Sequence, residues 1–334
     1  MDTNEMNVVL SGRIRLARNY ADLPFSQPGE SKQATVCIQR AVKAMHEMTQ
    51  DRYILKLLKD MSPTDQLALV EKHLISSDLL KNSLTGAALI REDEQVCIMV
   101  NEEDHLRIQA IIHGLDLEKA AQHAFAAEET LAKVCGFSFD PQLGYLTSCP
   151  TNTGTGMRAS LMLHLPMLAR FKQMGNVGQS VAKLGLTIRG IYGEGSEALG
   201  NVYQVSNQVT LGRREDDIIE AVTVVGRQLI EMETKLRQRC LSNHSMELKD
   251  AIMRSYGLLR YALSMDEKEF MQHWSNLRLG AALELLPHTT NDADRLLTIA
   301  QDAHVRQYVR QLSQETDAKA ARCRRIKETL FHAS

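Results

Sequence analysis

Three strings in this chain of 334 residues hold side chains whose types and spacing could do chemistry. Asn101-Glu102-Glu103-Asp104-His105-Leu106-Arg107 crowds three acids, a histidine and an arginine together. Cys149-Pro150-Thr151-Asn152-Thr153-Gly154-Thr155-Gly156-Met157-Arg158-Ala159-Ser160 runs from a cysteine through a loop rich in Gly and Thr to an arginine. Arg189-Gly190-Ile191-Tyr192-Gly193-Glu194-Gly195-Ser196-Glu197 joins another arginine to a glycine-flanked acid. Carboxylates can take protons and a thiol can act as thiolate. Guanidinium forks match phosphate oxygens in pairs.

The elements that must hold these groups are legible as periodicities. Hydrophobic patterning predicts strands at 96–100, 106–112, 144–149, 158–165, 186–193 and 202–211, and helices at 32–48 and 116–134. Ser62-Pro63-Thr64-Asp65 reads as an N-cap with Pro in the first turn, opening a helix towards His73. From Asp216 onward the pattern is helical throughout, broken near Asn243, Ser264, Pro287 and Ser313. Side chains alternate across a strand, so Arg158, Ser160 and His164 share one face while Ala159, Leu161 and Leu163 share the other. His105, Arg107 and Gln109 oppose an apolar set in the same way, Arg13 and Arg15 flank Ile14, and Arg189 sits beside a Gly-rich turn. Such a face is either solvated and salt-bridged or a polyanion site whose arginines the strands pre-organise.

Composition narrows the class. At 44% hydrophobic and 24% charged residues the chain reads as a globular protein, and its length favours one large domain plus a smaller one. A net charge of -2 gives no basic field, so direct nucleic-acid binding is not expected. Cys37, Cys97, Cys135, Cys149, Cys240 and Cys323 show no C-x-x-C pair or metal-ligand spacing and read as reduced thiols. The acidic opening Met1-Asp2-Thr3-Asn4-Glu5 lacks a signal-peptide core, and no apolar run is long enough to span a bilayer, so a cytoplasmic protein is expected. There is no G-x-x-x-x-G-K-[ST], which excludes a P-loop, and no protein-kinase H-R-D or D-F-G set. Gly193 to Ala198 formally matches G-x-G-x-x-A. Glu194 and Glu197 would then face a pyrophosphate, and a strand follows instead of a helix, so the dinucleotide reading fails.

The three strings, with Ser11-Gly12-Arg13-Ile14-Arg15-Leu16-Ala17-Arg18-Asn19, closely resemble the ATP:guanidino phosphotransferase family of arginine and creatine kinases over roughly 8–237. Glu71-Lys72-His73-Leu74-Ile75-Ser76, the string from Leu143 to Cys149, and Arg254-Ser255-Tyr256-Gly257 resemble its bacterial, protein-directed branch. The first arginine motif opens at Arg13, so the all-helical domain that precedes it in kinases of free arginine or creatine is not expected. The resemblance implies an α+β fold, an antiparallel sheet flanked by helices over 8–237, followed by an all-helical dimerisation or regulatory domain over 238–334. It implies transfer of phosphate from ATP to arginine side chains of proteins. A kinase of free arginine or another small guanidine, and an inactive adaptor that binds a repressor or protease, are the alternatives.

The same resemblance assigns base and orienting roles to Glu103 and Glu194 and puts Cys149 beside the guanidinium. Glu102 and Asp104 are expected as solvated loop acids, and Arg18 is expected off the phosphate site, tolerant of replacement. Phosphates fall to Arg13, Arg15, Arg107, Arg158 and Arg189, and the adenine lies against His73. Further nucleotide contacts are implied at Ser11, Gly12, Ile14, Ala159, Ser160, Leu161, Met162, Gly190, Ile191, Tyr192, Gly193 and Glu194. Mg²⁺ is expected mainly on phosphate oxygens, with no protein metal site. Implied partners are proteins with exposed arginine, a zinc-binding activator protein, a heat-shock repressor and a Clp ATPase, in stress response and protein degradation, with the chain a homodimer away from membranes. One departure stands out: the branch's R-D-x-x-R-A motif, which senses phosphoarginine, aligns with Thr316-Asp317-Ala318-Lys319-Ala320-Ala321, where neither arginine is present. The nearby basic run Lys319, Arg322, Arg324, Arg325 and Lys327 reads as a solvated helix face.

Overall fold

The computed structural model describes residues 3–25, 32–190, 198–312 and 317–331. The chain opens with α1 (Thr3–Val8), β1 (Val9–Arg18), α2 (Lys32–Glu47), β2 (Tyr53–Leu57) and α3 (Pro63–Glu71). Then come β3 (Ala87–Arg91), β4 (Val96–Val100), β5 (Leu106–His113), α4 (Leu117–Ala132), β6 (Phe139–Asp140), β7 (Gly144–Tyr145) and β8 (Met157–His164). After α5 (Pro166–Arg170), α6 (Met174–Ala182), β9 (Leu186–Gly190) and β10 (Val202–Asn207), the described residues form only helices. They are α7 (Glu215–Asn243), α8 (Ser245–Tyr261), α9 (Glu267–Ala282), α10 (Thr290–Ile299), α11 (Asp302–Gln311) and α12 (Ala318–Leu330).

Among the described residues, eight strands form one antiparallel sheet in the order β2-β3-β4-β5-β1-β8-β10-β9. One face is apolar: Ile14, Leu16, Ile108, Ala159, Leu161 and Val205 lie in the main core with α2, α4 and α7. Gly226 lets α7 lie close to β8, because a side chain there would collide with Leu161.

The opposite face divides into three zones. Beneath β2 to β4, Ala88, Ile90, Cys97 and Met99 are covered by Leu58, Leu74, Ile75 and Leu79 from the segment around α3. At the far end Leu10, Met162 and Val202 join a second core under Phe270, Met271 and Trp274 of α9. The arginines occupy the zone between. The expected strand over 144–149 is shorter than its pattern, only Gly144–Tyr145, because Thr147 to Thr153 turn away to form the cysteine loop.

Two buried arginines tie the helical region to α1 and to the end of β8. Arg237 pairs with Glu233 at 2.9 Å, Arg278 pairs with Asp294 at 2.6 Å, and both arginines donate to the carbonyl of Asn7. The expected division at 237/238 falls inside α7, which continues through Arg237 without a break.

Candidate active site

Strand register assembles the arginines. Arg15 is opposite Arg158 on β8, Ala17 is opposite Arg107 on β5, and Gln204 of β10 is opposite Arg189 on the edge strand β9. Arg13 donates to Gln204 Oε1 at 3.1 Å, and Arg158 donates to Ser206 Oγ at 3.0 and 3.3 Å. Arg107 donates to both carboxylate oxygens of Glu102, at 2.7 and 2.5 Å. Burial and the neighbours Arg107 and Arg158 push Arg13 down to about 10. Burial and the same crowding, with Arg13 added, push Arg15 well below its ordinary value, partly offset by Glu102. Arg158 is lowered by burial, Arg189 and Arg107. Guanidiniums stay charged in proteins, so these directions report burial first and like-charge crowding second. Arg15 Nε is buried without a hydrogen-bond partner. A bound polyphosphate would supply counter-charge to this crowded cluster, so these residues fit the triphosphate of a nucleotide.

The acid loop is fixed by a residue that local pattern did not single out. Asn101 takes a left-handed conformation, φ 62°, which Asn tolerates, and its side chain ties the turn to Ala34 and Thr85 carbonyls. That turn sends Glu102 inward, to Arg107 and to the hydroxyl of Ser76, and leaves Glu103 exposed. The expectation of solvated Glu102 and Asp104 is therefore corrected: both are 3% exposed. Glu102 is paired with Arg107, and Asp104 accepts hydrogen bonds from Asn19 and Ser148, since buried carboxylates require such partners. Glu103 is raised above the ordinary carboxylate range by desolvation and by Asp104, with Arg107 opposing.

Asp104 links this loop to the cysteine. Its Oδ1 accepts from Ser148 N–H at 2.7 Å and from Asn19 Nδ2 at 2.7 Å. Cys149 follows, half-buried, with Sγ 3.0 Å from Thr151 Oγ1. Thr210 Oγ1 ties the loop at the carbonyls of Thr151 and Thr153. Gly154, at φ 117°, is irreplaceable there, since an added Cβ would lie 2.5 Å from Thr210 O. Arg18 is also corrected. It is 1% exposed, pairs with Glu128 at 2.5 Å, donates to Ala17 and Thr155 carbonyls and lies 3.5 Å over the Tyr145 ring. It lies off the arginine face, as expected, but it is a structural anchor.

His73 follows α3 at φ 58°, with Gln109 Nε2 donating to its carbonyl at 2.8 Å. Burial and Arg13 push its imidazole down to about 4. Ser11, Arg13, His73, Ser160, Met162 and Gln204 line a cleft of about 50 Å³. Ile14, Ala159 and Leu161 place their side chains in the core behind the sheet, and Gly12 is buried on the same side. Gly190 closes β9. Ile191, Tyr192, Gly193 and Glu194 lie outside the described residues. Gln204 and Ser206 complete the arginine face, and their alternation with the buried Val205 along β10 is the sequence signal that marks them. In the basic run near the end, Arg322 is 1% exposed and held by Ala300 and Met265 carbonyls and Asp302, which corrects its solvated reading. Among the described residues no cluster of three or more His, Cys, Asp or Glu could hold a metal, and no helix is long and apolar enough to cross a membrane.

The family model for the ATP:guanido phosphotransferase C-terminal catalytic domain matches residues 36–236, and the model for the protein-arginine kinase McsB C-terminal domain matches 245–334. A protein-arginine kinase of Caldanaerobacter subterraneus subsp. tengcongensis is 44% identical, over 95% of this chain and 96% of its own. That of Shouchella clausii is 41% identical, over 98% and 93%. Among solved structures, the duplicated taurocyamine kinase from Schistosoma mansoni with bound transition state analog components superposes at TM-score 0.64 and 26% identity. The match covers 76% of this chain and 38% of that one. Lombricine kinase superposes at TM-score 0.60 and 25% identity, over 70% and 68%.

Proposed function

The chain belongs to the ATP:guanido phosphotransferase family, and on that premise we infer that it phosphorylates arginine side chains of proteins. The reaction is ATP + protein L-arginine to ADP + protein phospho-L-arginine. The observation that carries the reading is the under-neutralised arginine face beside an acid loop and a cysteine loop that Asp104 holds together. Arg13, Arg15, Arg107, Arg158 and Arg189 grip the phosphates, and His73 borders the adenine. When bound, ATP supplies the electrophilic γ-phosphorus, with Mg²⁺ held mainly on its phosphate oxygens.

Arginine is a poor nucleophile while protonated, with a pKa of about 12.5–13.8. Glu103 takes the proton as the guanidinium nitrogen bonds to phosphorus and the bond to the ADP oxygen breaks. Its raised pKa makes it a better base than an ordinary surface carboxylate. Glu102 is unsuited to that role, being held by Arg107 and Ser76. Glu194 orients the other edge of the guanidinium fork, and Cys149 lies against it.

Substrates are proteins with exposed arginine, and the setting is cytoplasmic stress response, with marking for Clp-type proteolysis. A zinc-binding activator protein, a heat-shock repressor and a Clp ATPase are the partners. The region 238–334 forms a homodimer, supported by the exposed apolar residues Met246, Met253, Tyr261 and Leu263 around α8. The test is one incubation with ATP, Mg²⁺, free arginine and an unfolded protein, read by mass spectrometry. Phosphoarginine in the protein is expected. Phosphorylation of free arginine alone would make the chain a small-guanidine kinase, and no product would leave an adaptor.

A further inference from the structure

α3 ends two residues before His73, and its last residue reaches away from the sheet into the helical region. Glu71 accepts from the backbone N–H groups of Ala303 at 2.6 Å and His304 at 3.0 Å, and its Oε2 lies 2.6 Å from His304 Nδ1. The side chains of Glu71 and His304 are 16% and 8% exposed. Gln301, the N-cap of α11, makes no side-chain capping bond. Glu71, 232 positions before Ala303 in the chain, therefore caps that helix, where both the N–H groups and the helix dipole favour a carboxylate. The docking continues along α3: Gln307 donates to Asp65 at 2.8 Å, and Arg310 donates to Thr64 Oγ1 at 2.7 Å. On the sheet side, Gln109 holds the carbonyls of His73 and Leu74 at 2.8 and 3.2 Å. The left-handed turn at His73 is thus gripped between the arginine-bearing sheet and α11. In turn α11 is tied to α12, through Arg322 to Asp302 and Arg325 to the His304 carbonyl.

We infer that Glu71 is a positioning residue for the nucleotide, through which the helical region shapes the wall that carries His73. This rests on the reading that His73 borders the adenine. Charge-assisted bonds at low exposure are strong enough to set that wall, and none of them touches the arginines or the acid loop. The device splits recognition: the phosphate grip belongs to the sheet, and the base-side wall depends on α11. By linkage, nucleotide binding must also tighten α11 against α3.

The test uses the full chain with Glu71→Gln, which keeps the shape but loses the charge and sets an amide donor against three donors. Mg·ATP affinity is measured by calorimetry and turnover on an unfolded protein. The expected result is a rise of about tenfold in both the Kd and the KM for ATP, equivalent to about 1.4 kcal/mol. At saturating ATP, kcat and the KM for the protein should stay within about twofold, because the arginines and Glu103 are untouched. In the unsubstituted chain, ATP should slow hydrogen exchange at the Ala303 and His304 amides, and Glu71→Gln should abolish that protection. Thr289→Ala controls for stability: it removes the capping box of α10, in the same region, and has no bond to α3. It should lower Tm and leave ATP affinity alone. An unchanged ATP Kd in Glu71→Gln, or an equal rise in Thr289→Ala, overturns the inference. If the chain binds ATP yet phosphorylates no protein, the functional reading falls while the Kd comparison still decides Glu71. Failure to bind ATP at all overturns both.

Discussion

Arg158→Met should stabilise the nucleotide-free protein while crippling it as a kinase. Arg158 is opposite Arg15 in the register, and directly opposed residues of an antiparallel pair have Cβ atoms about 5 Å apart. Arg158 helps to push Arg15 down, and Arg189 and Arg107 act on Arg158 in the same way. At an effective dielectric constant of about 20, two like charges roughly 6 Å apart repel by about 3 kcal/mol. Against this, the substitution loses the bonds to Ser206, a net of about 1 kcal/mol, and some packing of the long side chain. The balance is a gain of about 1–2 kcal/mol, or roughly 1–3 °C in Tm for a protein of this size. Nucleotide at 100 times Kd should add about 2.7 kcal/mol to the unsubstituted protein. If the variant binds about 100-fold more weakly, its gain at the same concentration is about 0.4 kcal/mol. The order of the two melting curves should therefore reverse when Mg·ATP is added. Turnover should fall by about 10²–10³, the usual loss of one pre-organised donor. Thermal unfolding with and without Mg·ATP, beside an initial-rate assay, gives all three numbers. A nucleotide-free variant that melts below the parent, with an undiminished shift on adding ATP, would refute the claim that this face is charged in excess for an anion.

Glu103→Gln should lower turnover by about 10²–10⁴ with little change in ATP affinity, and near-parental turnover would remove Glu103 from the reaction. Arg18→Ala leaves Glu128 without its buried partner and should cost about 3–5 kcal/mol in denaturant unfolding, so a tolerated substitution would contradict the anchor. His73, pushed down to about 4, stays neutral in the folded protein while the unfolded chain protonates below about 6.5. The unfolded state thus binds more protons in that window, and stability falls as pH drops from about 6.5 towards 4. His73→Gln should remove about 2 kcal/mol of the difference between pH 7 and 4.5, and an identical pH dependence in both proteins would show that His73 titrates normally. Added phosphoarginine should barely alter the initial rate on an unfolded protein. Ala320 supplies no fork, Arg322 is buried, Arg324 pairs with Glu328, and Arg325 donates to His304. Strong cooperative activation would count against this, whereas Thr316→Arg with Ala320→Arg should create a response.

What the sequence alone determined follows from the chain's own stereochemistry. Period two put Arg13 with Arg15 and Arg158 with Ser160, and the structure keeps those faces. Ser62 caps α3 through Asp65 N–H as its spacing predicts, and the long helical tail is helix. The signal failed where local pattern is ambiguous. β3 is buried along nearly its whole length because helices or loops cover both faces, so it shows no alternation. β2 lies at the sheet edge with Ile54 half exposed. Position within a triplet of acids was equally illegible. Glu102, Glu103 and Asp104 are neighbours of one chemistry, yet only the tertiary structure, through Arg107, Ser76, Asn19 and Ser148, decides which two are buried. Arg18 shares the parity of Ile14 and Leu16, which puts it on the core side, but the acid that makes this tolerable, Glu128, comes from α4. The capping of α11 by Glu71 joins residues more than 230 positions apart. Strand alternation and helix caps are settled within a few residues, whereas the burial of a charge depends on a partner that only folding brings within reach.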